Sequence, residues 1–230
     1  MRLRNLLILL LSVGALMQAP ALAGTVIIAH NGETDPTTEG FTLYSGDVYP
    51  VPGVPPAWHI DGSWSSSQYY SNASAPSGDW VMTAYLSNGT TSSQSGYETG
   101  PWVTYMTPLG VRFDIDLYSD GEGDQILEAN PFGAGPTYPI YGLGSGFVLV
   151  QVAYSAANGS ADYYVNGQEV ISGYTGEDHY FYTGFVFGAD NGDFNLVQLQ
   201  SGDLGTPEPA SAVLTLAALA GLVWRRSRAA

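Results

Sequence analysis

Five Asn-Gly pairs, at Asn31, Asn88, Asn158, Asn166 and Asn191, constrain this chain more than any other feature. Asn and Gly both tolerate φ > 0, which the two central residues of a type I′ turn require, so each pair is a place where a strand can fold back. The last three pairs fall within 34 residues. They divide the region into a predicted meander: a strand over 147–154, a turn at Asn158-Gly159, a strand over 163–165, a turn at Asn166-Gly167, a strand over 168–171, then two more strands. Residues 111–118 alternate, with Val111, Phe113, Ile115 and Leu117 on one side and Arg112, Asp114, Asp116 and Tyr118 on the other. A period of two predicts a half-buried strand. Further strands are expected over 41–45, 80–86, 102–106, 180–187 and 196–200, and 147–154, apolar on nearly both faces, fits a central strand. No stretch of the body combines helical periodicity with caps. Many short strands with frequent turns predict an all-β sandwich. Pro50, Pro52, Pro55 and Pro56 predict an extended loop over 48–57 outside any ladder, and 63–77 and 87–100 read as surface loops.

Both ends have a different character. Arg2 and Arg4, an apolar core over 6–16 and Ala21-Leu22-Ala23 before Gly24 have the layout of a secretory signal peptide, with cleavage after Ala23. That apolar core is too short to cross a bilayer. At the other end Pro207-Glu208-Pro209 precede a mostly apolar run over 210–224, and Arg225-Arg226-Ser227-Arg228 follow it. The prolines stop any structure running in from the body. As a helix the run would reach roughly 22 Å, short of the ~20 residues that span a bilayer comfortably, and the arginines would stop transfer on the cytoplasmic side. This three-part tail resembles the PEP-CTERM sorting signal of Gram-negative bacteria. The resemblance implies an exosortase-type processing enzyme as a partner and membrane contact through the C-terminal helix before processing. It also implies a final place at the outer membrane surface or outside the cell, in bacteria that make exopolysaccharide and biofilm. A plain C-terminal anchor helix is the other reading of these residues. The expected organisation is a signal peptide over 1–23, one β-sandwich jelly-roll domain over 24–205 and a sorting signal over 206–230.

Charge excludes whole classes of partner. The sequence has no lysine, and five of its six arginines lie in the two end segments. Twenty of the 21 acidic residues lie between them, so the body carries about −19 with Arg112 as its one formal cation. Nucleic acids and anionic headgroups bind through Lys and Arg that displace counterions, and such partners are excluded. Neutral polysaccharides meet no such barrier. Cysteine is absent, which removes disulfides, thiol catalysis and cysteine-based zinc sites.

The body also carries a family likeness. Ala161-Asp162-Tyr163-Tyr164-Val165-Asn166-Gly167-Gln168-Glu169-Val170, followed by Phe185-Val186-Phe187-Gly188-Ala189, resembles the central hairpin and next strand of concanavalin A-like, laminin-G-like jelly rolls. The resemblance implies a curved sheet whose concave face often holds sugars, in a superfamily of lectins, glycosidases and adhesion modules. Its retaining glycosidases place carboxylates on one strand face as Glu-x-Asp-x-Glu or Glu-x-Asp-x-x-Glu. Neither Asp114-x-Asp116 nor Glu122-x-Asp124-x-x-x-Glu128 fits that spacing, so no catalytic residue is assigned. Arg112 and Asp114 are expected to form a solvated ion pair on one strand face.

Three other constellations bear on function. Trp58, Trp64, Tyr69 and Tyr70 lie among Gly, Ser and Asp, and exposed rings of this kind stack on sugar faces. Burial in the core is the competing reading for each ring. Asp120, Glu122 and Asp124 alternate with glycines; they read either as a loose calcium site, since calcium takes six to eight oxygens, or as an acidic turn without an ion. His30, His59 and His179 have no ligand spacing and read as surface or strand-edge residues. The sequence therefore predicts an exported, non-catalytic protein that binds a glycan or exopolysaccharide. The alternatives are a ligand-free structural matrix protein and a glycoside hydrolase of the same fold.

Overall fold

A computed structural model describes residues 24–53, 55–61, 68–71, 73, 76–88, 100–119, 124–129, 135–141, 146–178 and 184–204, and Gly24–Asp203 form a compact unit. Two antiparallel sheets build it. The first contains β1 (Thr25–Asn31), β3 (Asp47–Val51), β4 (Ala57–Asp61), β6 (Trp80–Asn88), β11 (Val148–Ser155), β12 (Ser160–Val165), β13 (Gln168–Tyr174) and β16 (Asn191–Ser201). Its order is β13-β12-β11-β6-β16-β4-β3, with β1 also on β16. The second contains β2 (Phe41–Ser45), β5 (Gln68–Ser71), β7 (Pro101–Met106), β8 (Val111–Ser119), β9 (Gln125–Glu128), β10 (Thr137–Ile140), β14 (Glu177–Asp178) and β15 (Gly184–Ala189). Its order is β10-β9-β8-β7-β15-β5-β2, with β14 also on β8. Among the described residues the only helix is a 3-10 turn at Pro36–Glu39, capped by the Asp35 carboxylate, which accepts from the Thr37 N–H. None is long and apolar enough to cross a membrane.

The sheets are held together by aromatic side chains, each of which contributes about 1.5–3 kcal/mol when fully buried. Trp80 of the first sheet lies flat on Tyr154 at 5.1 Å and meets Tyr105 and Phe113 of the second sheet edge-on at 4.9 and 5.2 Å. Phe187 of the second sheet lies 5.1 Å from Phe194 of the first and 5.2 Å from Tyr69. Tilted and edge-to-face contacts at such distances add to the stabilisation from buried area alone.

The predicted meander is present as β11, β12 and β13, adjacent in the first sheet. Asn166 (φ 50°) and Gly167 (φ 82°) form the two-residue turn between β12 and β13, and the Asn166 side chain accepts from the Leu149 N–H at 3.2 Å. After β13 the chain leaves for the second sheet. Asn191-Gly192 is not a turn: both residues belong to β16. Glycine serves a different need there, because a Cβ on Gly192 would come within 2.7 Å of Pro101 Cβ. The expectation of a loop over 48–57 is corrected as well, since β3 runs through Pro50 and pairs with β4. Its place at the edge of the sheet is why a residue without an N–H is tolerated. Likewise β5 lies within the expected loop 63–77, and it is in the second sheet, between β15 and β2.

Candidate functional site

Strand β8 carries the most charge in the smallest space. Phe113, Ile115 and Leu117 enter the core as the alternation requires, which turns Arg112, Asp114 and Asp116 to the outer face of the second sheet. The register then aligns that face in three rows. One row is Gly184, Met106, Arg112 and Glu177. The next is Thr42, Tyr70, Val186, Thr104 and Asp114. The third is Gln68, Gly188, Trp102, Asp116, Glu128 and Thr137.

The middle of this face is not solvated, contrary to the expectation for the Arg112–Asp114 pair. Arg112, Asp114, Asp116 and Thr104 are all buried, as are Trp102, Met106 and Val186 beside them. Arg112 Nε donates to Asp114 Oδ1 at 2.7 Å, and the Thr104 hydroxyl donates to the same oxygen. Burial pushes the Asp114 carboxyl above the ordinary carboxylate range, while Arg112 and Thr104 pull against that shift. Glu128, directly opposite Asp116 across the ladder, is raised by its own burial and by the charge of Asp114. Burial also raises Tyr118, with Glu128 and Asp116 adding to it. Two carboxylate runs that are separate in the sequence thus meet: Asp114 and Asp116 from one, Glu128 from the other.

Towards β2 the same face opens to water. Tyr44 is 71% exposed, and its ring meets Tyr70 edge-on at 5.9 Å. Tyr70 is half-buried. Of the aromatic residues read as sugar contacts, Tyr70 is the one placed here. Trp58 and Tyr69 belong to the core, where the Trp58 N–H donates to the Tyr69 hydroxyl at 3.1 Å. Burial between the sheets removes both rings from any ligand in solvent, a correction to their expected exposure. Trp64 lies outside the described residues. Tyr44 went unnoticed in the sequence, although its alternation with Phe41 and Leu43 in β2 is the signal that places it outward.

The calcium reading has one described residue, Asp124, half-buried ahead of β9; Asp120 and Glu122 lie outside. Among the described residues no group of three or more His, Cys, Asp or Glu side chains is arranged to hold a metal ion. His30 and His59, read as surface or strand-edge residues, are both buried, and His179 lies outside the described residues. The signal-peptide residues Ala21 and Ala23 and the tail residues Pro207, Glu208, Pro209, Arg225, Arg226 and Arg228 lie outside them too.

Fold and face together define an all-β sandwich of jelly-roll type with an acidic, aromatic-edged outer surface on its second sheet. Proteins of that shape include the endo-1,3-β-glucanase from Streptomyces sioyaensis, similar at a TM-score of 0.52 and 12% identity over 79% of this chain and 98% of that one. The binding domain of botulinum neurotoxin serotype D is similar at a TM-score of 0.54 and 11% identity over 82% of this chain and 51% of that one. The receptor binding domain of botulinum neurotoxin mosaic serotype C/D gives 0.52 and 12%, over 82% of this chain and 50% of that one. At these identities the likeness is one of fold. No family model matches the chain, and no curated protein matches it in sequence.

Proposed function

We propose that the protein is an exported, non-catalytic glycan-binding protein of a bacterial surface or extracellular matrix, and that it holds a neutral β-glucan against the outer face of its second sheet. The observation that carries this reading is the Tyr44–Tyr70 ring pair at the open end of a face that continues through Thr104 to Asp114. Rings supply the apolar platform for a pyranose, and Thr42, exposed and directly opposite Tyr70 across the ladder, offers a hydroxyl beside them. The charge of the body favours a neutral polymer. The fold shared with an endo-1,3-β-glucanase makes β-1,3-glucan the first ligand to try. Export is supported by the signal-peptide layout of the N-terminus and by the likeness of the tail to a PEP-CTERM signal, with exosortase-type processing and an extracellular or outer-membrane destination as parts of the same proposal.

Binding is favoured over hydrolysis because Asp114 is tied to Arg112 and Thr104, which leaves no free carboxylate run along β8. Hydrolysis is the second reading, favoured by Asp116 and Glu128 facing each other across the ladder with Glu128 shifted upward, since glycosidases use two carboxyl groups with separated pKa values. The test is a titration of the purified protein with laminarin and a pull-down on curdlan, each with calcium and with chelator. Saturable binding is expected, weakened about tenfold in Tyr70→Ala and in Tyr44→Ala by the loss of a stacking ring. A loss of binding with chelator would give Asp124 and its neighbours a calcium role. Release of reducing ends would replace the binding reading with the hydrolase. No saturable binding to any neutral polysaccharide would remove both.

A further inference from the structure

The outer face of the first sheet carries an arrangement that the reading above does not use. Trp58 and Ile60 of β4 and Phe194 of β16 point into the core, so His59 and Asp193 point away from it. The register places Tyr49, His59, Asp193 and Ser87 in one row across four strands, with Asp47, Asp61 and Asn191 in the row beside it. His59 Nδ1 lies 2.7 Å from Asp193 Oδ1. A carboxylate accepts, so Nδ1 donates to it. The His59 side chain is 11% exposed and that of Asp193 21%. The imidazole is held on its other side by Tyr49, whose ring centroid is 4.7 Å away, and Tyr49 is 47% exposed.

We propose that Tyr49, His59 and Asp193 form a second sugar-binding site, on the sheet opposite the Tyr44–Tyr70 face, and that its ligand is a neutral pyranose. This rests on the reading of the protein as a glycan binder. The three side chains offer what one sugar ring needs. Tyr49 gives a flat apolar surface of about a pyranose's size. His59 gives a polar ring edge whose direction is fixed before the ligand arrives, because Asp193 holds Nδ1 and Tyr49 restrains the ring. Fixing it beforehand lowers the entropy that binding must lose. The carboxylates of Asp47 and Asp193 beside His59 accept and do not donate, so the ligand has to be a donor. A polyol donates from every hydroxyl. An anionic ligand meets these carboxylates, and an apolar partner would cover acceptors without satisfying them. Two sites on opposite sheets would let one molecule join two polymer chains, a multivalent effect that needs no self-association.

The full-length protein can be tested with two probes. Laminarihexaose, too short to bridge molecules, is titrated while the imidazole proton signals of His59 are followed by NMR, assigned by comparison with His59→Gln. Polymeric laminarin is titrated while light scattering reports cross-linking. The expected result is that laminarihexaose moves the His59 signals and still does so in Tyr70→Ala. Laminarin should raise the scattering of the wild type at least fivefold, and Tyr49→Ala, a surface change, should bring that rise to background while one-to-one binding at the Tyr70 face persists. His59 signals that stay still while laminarihexaose saturates the Tyr70 face would overturn the second site and leave the first. Movement of His59 with spermidine but with no sugar would overturn it too. A wild type that binds neither probe would overturn both proposals.

Discussion

His30 shows how much a single side chain depends on its surroundings. It is fully buried on β1, stacked on Phe187 at 5.6 Å, with Nδ1 2.6 Å from Glu39 Oε2. Glu39 also accepts from the Asn31 backbone and side chain at 3.2 and 2.7 Å and from the Thr34 hydroxyl, so one carboxylate gathers the 31–40 connection. Burial lowers the His30 pKa below its ordinary 6.5, against the pull of Glu39 in the other direction. A histidine lowered in the folded state binds its proton more readily unfolded, so its contribution is complete above the unfolded pKa and is lost as pH falls. The urea midpoint is therefore expected to fall as pH drops below about 6.5. His30→Gln, whose amide can still donate to Glu39, should flatten that part of the profile. An unchanged slope in the variant would mean that other groups set it. Nothing in the sequence marks His30 as buried, because its stacking partner is 157 positions away and on the other sheet.

At the scale of the element, β8 separates what a pattern can reveal from what it cannot. Its alternation was legible, and Phe113, Ile115 and Leu117 do enter the core. The opposite side reads as polar and hence solvated, yet Arg112 and Asp114 are buried. Periodicity reports which residues share a face and says nothing of whether that face is covered. The pair makes a sharp stability test. Arg112→Met strands a buried carboxylate and should cost about 3–5 kcal/mol, while Arg112→Met with Asp114→Leu should regain most of it. Chemical denaturation of the two variants checks this, and equal losses in both would show that the charge pair is not what the site depends on. Strand β3 gives the converse lesson. Pro50 argues against a ladder by local chemistry, and the edge position that makes it harmless is a property of the whole sheet.

For the whole molecule the dominant fact is charge. About −19 on the body, with its one cation already committed to Asp114, means that the folded state is compressed against its own repulsion. Monovalent salt screens such repulsion with a Debye length near 8 Å at about 0.15 M. The thermal midpoint is expected to rise from very low salt to about that ionic strength, and by the same amount with sodium as with potassium. A flat response would show that the carboxylates are spread widely enough not to interact. Laminarin affinity, resting on stacking and neutral hydroxyls, should change little over the same range, whereas a charged ligand would show a steep dependence.

The sequence by itself determined the class of fold. Turn chemistry at Asn166-Gly167, alternation in β8 and the want of helical periodicity are local signals, and local geometry is enough to make strands and hairpins. The excess of acid over base is a sum, independent of folding, and on that ground nucleic acid is not expected as a partner. Tertiary structure decided which side chains meet. Tyr70 and Tyr69 are neighbours in the chain and face opposite ways, one beside Tyr44 and the other against Trp58. Asp116 and Glu128 become opposed only when β9 pairs with β8, and His59 gains Asp193 only when β4 joins β16. Those contacts lie between strands in register, and register is set by the packing of the core between the two sheets, which no single segment of the chain contains.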